Sequence, residues 1–153
     1  MLWGLFNMEY WFCISNEENW QIVKKANVWG VSEQWKKRLE QIKPGDHLVL
    51  YVKQIKEKHL EIVPPRIVGI FEVVSKPYSD KQRLFKSHKE GEIYPFRIKI
   101  KPIKIAEKII SFRELVPKAS FIKNKWKWSL SMRITIRPIS EKDYKLIKSQ
   151  FGT

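Results

Sequence analysis

The sequence predicts an α+β fold in which a small, strongly curved sheet carries helices on its flanks. Three patterns support that expectation. Helix-period apolar residues are confined to two segments near the start of the chain and one at its end. Two runs, 47–53 and 66–74, are apolar on both faces and need cover on both sides, as a barrel wall packed by a helix does. The alternation that starts at Tyr94 slips by one residue after Pro102, which bends a strand. At 153 residues and 43% apolar content, the chain can bury one core well and has little room for a second. A single domain is therefore expected over 8–153. Residues 1–7 read as an extension, apolar but short and without the basic start of a secretory signal, and Met8 is a candidate true start.

Taken in order, 10–14 reads as a buried aromatic and β-branched strand. Ser15 or Asn16 is placed to cap the helix that follows, on which Trp20, Val23 and Ala26 share a face. A second helix is expected over 32–42, with Trp35, Leu39 and Ile42 inward, until Lys43-Pro44-Gly45-Asp46 turns the chain. The two doubly apolar strands come next, separated by a charged loop over 54–61, and Gly69 inside the second marks a close approach of backbone or ligand. A short helix around 80–85 and a polar loop over 86–91 should follow. From Tyr94, Phe96, Ile98 and Ile100 face one way and Arg97, Lys99 and Lys101 the other, as a basic stripe. A helical turn is expected over 111–115. Over 126–136 apolar residues recur at every second position, the pattern of a strand with a polar to basic face. Ser140 then caps a terminal helix with Tyr144, Ile147 and Phe151 on one side.

Thirty Lys and Arg against 16 Asp and Glu give a formal charge of +14. A polyanionic partner is the simplest reason for so one-sided an excess. A lysine-rich, thermophilic proteome is the competing reason, but it would enrich Glu alongside Lys. Cys13 has no second cysteine to pair with, so a reducing compartment, the cytoplasm, fits. His47, His59 and His88 are scattered without ligand or triad spacing, and neither a carboxylate pair nor a Gly-rich loop stands out. No metal, cofactor or enzymatic activity is expected on those grounds. Nor does any apolar run reach the ~18 residues that span a bilayer.

The candidate site is Asn27-Val28-Trp29-Gly30-Val31-Ser32. Tryptophan beside glycine sets a π-face next to backbone that a planar ligand can approach; a core tryptophan in a turn is the other reading. Trp20 and Trp126 are candidate second walls, and Trp11 and Trp35 are candidate core residues. Lys36, Lys37, Arg38, Lys99, Lys123, Lys125, Lys127 and Arg133 are candidate phosphate contacts, or solvated faces.

The ordered set Tyr10-Trp11-Phe12-Cys13-Ile14-Ser15-Asn16, Trp29-Gly30-Val31, Lys43-Pro44-Gly45-Asp46 and Ile67-Val68-Gly69-Ile70-Phe71-Glu72-Val73 resembles the EVE domain of the PUA-like superfamily. Tyr94-Pro95-Phe96-Arg97 and Arg137-Pro138-Ile139-Ser140 extend the likeness over nearly the whole chain from Met8. The resemblance implies a PUA-like pseudo-β-barrel of five to six strands with flanking helices, related to YTH readers of methylated adenine. It implies a module that reads a modified base in RNA or DNA, single-stranded or flipped from a duplex; the sequence leaves the oligomeric state open, with a monomer favoured. Position by position it implies Trp29 as a pocket wall with Gly30, Val31 and Ser32 beside it, Asn16 at the mouth, and Phe71 and Arg97 in matching strand motifs. Many members have Ser-Glu-Pro where this chain has Ser15-Asn16-Glu17, and an Asn-Tyr-Gln-Ala-Arg-like run where it has Ser32-Glu33-Gln34-Trp35, so residues expected to touch the ligand differ. A PUA-like RNA-binding module without base specificity, and a small-molecule or nucleoside sensor, are the alternatives.

Overall fold

A computed structural model of the chain describes residues 8–54 and 63–152. Its elements run β1 (Tyr10–Ser15), α1 (Glu17–Ala26), β2 (Val28–Val31), a 3-10 turn (Glu33–Trp35), α2 (Lys36–Leu39), β3 (His47–Val52), β4 (Arg66–Val73), β5 (Tyr78–Ser79), β6 (Phe96–Ser111), α3 (Phe112–Leu115), α4 (Trp128–Ser131), β7 (Ile136–Ile139) and α5 (Glu141–Lys148). One seven-stranded sheet has the order β2-β6-β4-β3-β1-β7, with the two-residue β5 also paired to β6. The pair β1 and β3 is parallel and the others are antiparallel. A parallel pair needs a crossover, and α1, β2 and α2 make up this one.

Both faces of the central strands are covered, as their composition requires. Trp11, Cys13, Leu48, Leu50 and Val52 join Trp20, Trp29 and Leu39 in one core. The residues between them, Phe12, Ile14, Val49 and Tyr51, join Phe112, Leu115 and Tyr144 in a second core on the other face. The bend expected after Pro102 is present: Phe71 pairs with Pro102 while Ile70 pairs with Lys104, leaving Ile103 over. At Gly69 a Cβ would stand 3.1 Å from the Lys104 carbonyl and 2.9 Å from the Phe71 ring, so the close approach there is internal. The turn before β3 is locked by Asp46, 1% exposed, whose carboxylate accepts from Trp11 Nε1 at 3.0 Å, Lys43 N at 2.9 Å and Glu9 N at 3.1 Å.

Three expected elements fold differently. The helix over 32–42 is a 3-10 turn and the four-residue α2; Gln41 N and Ile42 N then bond three residues back, to Arg38 O and Leu39 O. No helix forms over 80–85, because the Asp80 carboxylate accepts from Gln82 N at 2.8 Å, a local turn that competes with helix. The alternating run over 126–136 is a strand only from Ile136; before it stands α4. Positions four apart fit both periods, and Trp128 and Met132 turn inward as a helical pair, Trp128 packing 5.6 Å from Phe112. Asn124 Oδ1 starts that turn by accepting from the backbone of Trp126 and Lys127, each at 3.1 Å. Most of the loop expected over 54–61, and residues 1–7, lie outside the described residues. Among the described residues no helix is long and apolar enough to cross a membrane.

Candidate functional site

A cavity of about 110 Å³ opens where β1 and β3 end. The parallel register sets Ser15 against Val52, so Ile14 and Ser15 meet the exposed Lys53 at its wall. Trp29, Gly30, Val31 and Ser32 supply a second side, and Asn16 and Asn19 a third. Trp35, Phe85, Tyr94 and Thr135 complete it. Polar groups and aromatic rings therefore share one small space. Trp29 is both wall and core, since it is 2% exposed and packs within the first cluster.

Asn16 caps α1: its Oδ1 accepts from Asn19 N at 2.8 Å, which leaves its amide nitrogen as the donor it can offer a ligand. Asn19, 8% exposed, makes a reciprocal pair with Lys86, donating to the carbonyl at 2.9 Å and accepting from the amide at 2.8 Å. That pair fixes the segment that brings Phe85 to the cavity. Tyr94 holds a left-handed φ of 50°, a conformation that costs a non-glycine residue about 1–3 kcal/mol and persists only under constraint. Its amide donates to Glu92 Oε2 at 2.9 Å and its carbonyl accepts from Arg97 Nε at 3.0 Å.

Arg97 departs from the exposed basic stripe. It is 2% exposed and donates to the carbonyls of Tyr94, Gln82 (2.6 Å) and Ile93 (3.1 Å), with Asp80 Oδ2 3.6 Å away. Its guanidinium also lies 5.2 Å from the Phe85 ring centre. It sits behind the pocket and holds the 80–94 segment that lines it, while Lys99 and Lys101 remain exposed. Gly30 serves the same segment. A Cβ there would meet Phe85 Cε2 and the Tyr94 carbonyl, both at 2.8 Å, so glycine admits the pocket's own wall.

Other expected walls stand elsewhere. Phe71 is 1% exposed and edge-on to Trp20 at 6.2 Å inside the core. Trp20 is buried there and edges a separate depression with Arg66 and Val68. Trp126 is 96% exposed and lines no part of the cavity. Conversely Trp35, expected in the core, lines the cavity, because its helix shortens to a 3-10 turn.

Of the candidate phosphate contacts, Lys36, Lys37 and Arg38 are exposed on α2, and Lys123, Lys127 and Arg133 are exposed between α3 and β7. Lys36 lies 5.1 Å from the Phe96 ring and Lys99 lies 6.0 Å from the Tyr78 ring, and Phe96 and Tyr78 border one shared hollow. Lys125 is engaged internally, donating to Val116 O at 2.9 Å and Ala119 O at 2.6 Å. Burial pushes the Cys13 thiol well above its usual value, which suppresses thiolate chemistry there. Among the described residues no three His, Cys, Asp or Glu converge as metal ligands.

A family model of the EVE domain matches residues 9–150. The chain belongs to the EVE domain family. A UPF0310 protein of Pyrococcus abyssi is 56% identical to this EVE domain over 143 residues, 93% of this chain and 99% of its own. A UPF0310 protein of Pyrococcus horikoshii is 51% identical over 143 residues, 92% and 97% of the two chains. Among solved structures, human THYN1 in complex with 5-methylcytosine-containing DNA superposes with a TM-score of 0.62 at 18% identity, over 95% of this chain and 98% of that one. The Mmi1 YTH domain in complex with RNA gives 0.64 at 14% identity, over 94% and 77%. The fold is thus the PUA-like α+β pseudo-barrel, and these likenesses are of fold.

Proposed function

We propose that this EVE domain binds nucleic acid and admits a single, modified base of DNA or RNA, unpaired or flipped, into the cavity walled by Trp29 and Trp35. The observation that carries the reading is a cavity lined by two tryptophans, Phe85 and Tyr94 together with Asn19 and with Asn16, whose Oδ1 is used as the helix cap. Flat apolar walls stack a ring, and amide groups orient its polar edge, as discrimination of a flipped base requires. Size supports a single ring: the cavity, about 110 Å³, falls far below the roughly 300–1,000 Å³ of pockets for drug-sized ligands. It is nearer the roughly 150 Å³ that holds a benzene ring. The excess of positive charge attracts the backbone in a salt-dependent way that carries no base information. The THYN1 complex with 5-methylcytosine-containing DNA and the YTH complex with RNA are consistent with this reading.

Titration with a nucleoside panel and with matched oligonucleotides, modified and unmodified, tests it. One modified base should be preferred. Trp35→Ala, at a half-buried position, should reduce the preference about tenfold, the scale of one base–aromatic stack, and keep the salt-dependent background. Trp29→Phe should do so to a lesser degree. Equal affinity for every base in the wild type, or full preference in a folded Trp35→Ala, would overturn the assignment. Binding of the nucleoside as tightly as the polymer would point to a sensor.

A further inference from the structure

Trp126 stands outside both cores, with 96% of its surface exposed. The two residues before it account for its position. Asn124 Oδ1 accepts from the backbone of Trp126 and Lys127, each at 3.1 Å. Lys125 Nζ donates to Val116 O and Ala119 O at 2.9 and 2.6 Å, which ties the same loop to the turn after α3. Both side chains are spent on fixing the loop, and the indole is the group that the loop presents. Held outward in this way, it forgoes the burial that a tryptophan ordinarily gains. Its surroundings are basic. Lys123, Lys127 and Arg133 are exposed on the same segment, and among the described residues none of the three makes an ion pair. The sequence places no Asp or Glu over 115–140, although the whole chain holds 16.

We propose that the 123–133 segment is a second nucleic-acid contact, in which Trp126 stacks on an unpaired base and Lys123, Lys127 and Arg133 hold the adjoining phosphates. It rests on the nucleic-acid binding proposed above, but not on the base pocket, none of whose walls it shares. Every base has a π-face, so stacking of this kind accepts any sequence. Trp126 therefore adds affinity and leaves selection to the pocket. A second copy of this chain is the wrong occupant, since a two-fold contact would set the same unpaired cations against each other. A lipid surface takes a longer amphipathic helix, and α4 has four residues, of which Leu130 is the exposed apolar one at 48%. An acidic polymer without rings satisfies the cations and leaves the indole unused. Thr135 of the pocket follows Trp126 by nine residues, at most about 32 Å of extended chain, so one strand can engage both.

The test uses the full chain, its Trp126→Ala and Trp126→Phe variants, and a Lys123→Gln/Lys127→Gln double variant. The probes are the nucleoside panel, polyglutamate, a duplex, and single strands of about 12 nucleotides, within the roughly 4–16 that single-strand-binding folds cover. Trp126→Ala should weaken single-strand binding about tenfold, the scale of one base–aromatic stack. The factor should be the same for modified and unmodified strands, with the unfolding midpoint and nucleoside affinity unchanged. Trp126→Phe should keep most of the affinity. The double lysine variant should lower the slope of log K against log salt by about 1.4, the value for two phosphate contacts on a single strand, whereas Trp126→Ala should leave the slope intact. Polyglutamate, which has charge but no bases, should bind wild type and Trp126→Ala alike. Unchanged single-strand affinity in Trp126→Ala would overturn the proposal, and phosphatidylserine vesicles and sedimentation would then show whether a lipid surface or a second copy uses the tryptophan. An equal loss on polyglutamate or on the fully paired duplex would overturn it too. Failure of the pocket reading looks different: the wild type prefers no base, while the factor lost in Trp126→Ala stays the same.

Discussion

The two faces of the sheet are closed by different means. On one, Phe112 packs against Phe12, Tyr51 and Trp128 with ring centres 5.4, 5.2 and 5.6 Å apart, and Phe121 adds a further ring 5.0 Å from Phe12. On the other, Trp20, Trp29 and Leu39 pack on the sheet, and beside them the 80–94 segment completes the cover, tied down by the Asn19–Lys86 pair and by the three carbonyls that Arg97 holds. Apolar packing is non-directional and fills the space available to it. Directional bonds hold a segment at a set distance, and the cavity lies beside that segment. The pocket is therefore a product of how the cover is attached.

If the faces are separable, damage to the packed one should cost stability and leave selectivity alone. Phe112→Ala removes a fully buried ring from four aromatic contacts and should destabilise by about 3–5 kcal/mol in denaturant unfolding. Base preference of the remaining folded protein should match the wild type. Loss of preference at full occupancy of the folded state would show that the packed face positions the pocket after all.

Gly30→Ala makes the converse change. The added methyl meets a backbone carbonyl and a ring at 2.8 Å, and the carbonyl belongs to a residue that Arg97 already fixes. Overpacking of this kind costs about 1–3 kcal/mol, less than the lost ring, but it displaces Phe85 and Tyr94 from the cavity. Nucleoside affinity should fall more than the unfolding midpoint does. An unchanged affinity would mean that the 80–94 segment does not shape the site.

Much of this division can be read in the sequence, and the rest fails for stated reasons. Doubly apolar β3 and β4 announce a sheet covered on both sides, and the slip after Pro102 announces the bend. Trp29 and Asn16 are legible because a Trp-Gly step and a helix cap are local signals. Asn19 was within reach too, three residues past Asn16 and so on the same helix face. Phe85, Tyr94 and Lys53 were not, since their places depend on long-range ties: the Asn19–Lys86 pair, the bonds of Arg97 and the parallel register of β1 with β3. Arg97 misled because strand alternation assigns a face without saying whether a loop covers it, and β5 with the 80–94 segment covers that one. The run over 126–136 misled because Trp128 and Met132 satisfy a period of two and a helical turn alike.

The packed face has one titratable weak point, and it sets the smallest effect. His47 Nδ1 lies 2.6 Å from Tyr144 Oη, and the Tyr10 ring sits 4.2 Å from that of Tyr144. Burial lowers the His47 pKa from its usual 6.5; Glu72 opposes this and Lys148 adds to it. Burial pushes the Tyr144 hydroxyl up to about 12, so it keeps its proton beside the imidazole. The unfolded chain then takes up a proton near pH 6.5, while the folded protein resists until the pH is lower. The unfolded state binds more protons in that window, so stability is full above the unfolded pKa and declines as pH falls through it toward the folded value. Denaturant midpoints measured from about pH 7.5 to about pH 5.5, the range in which a histidine changes charge, should decline less than with either substitution above. His47→Gln should flatten the decline, and nucleoside affinity should not follow it, because the imidazole lines no part of the cavity. A decline that survives His47→Gln would place the sensitive group elsewhere, and one shared by nucleoside affinity would tie the packed face to the pocket through β3.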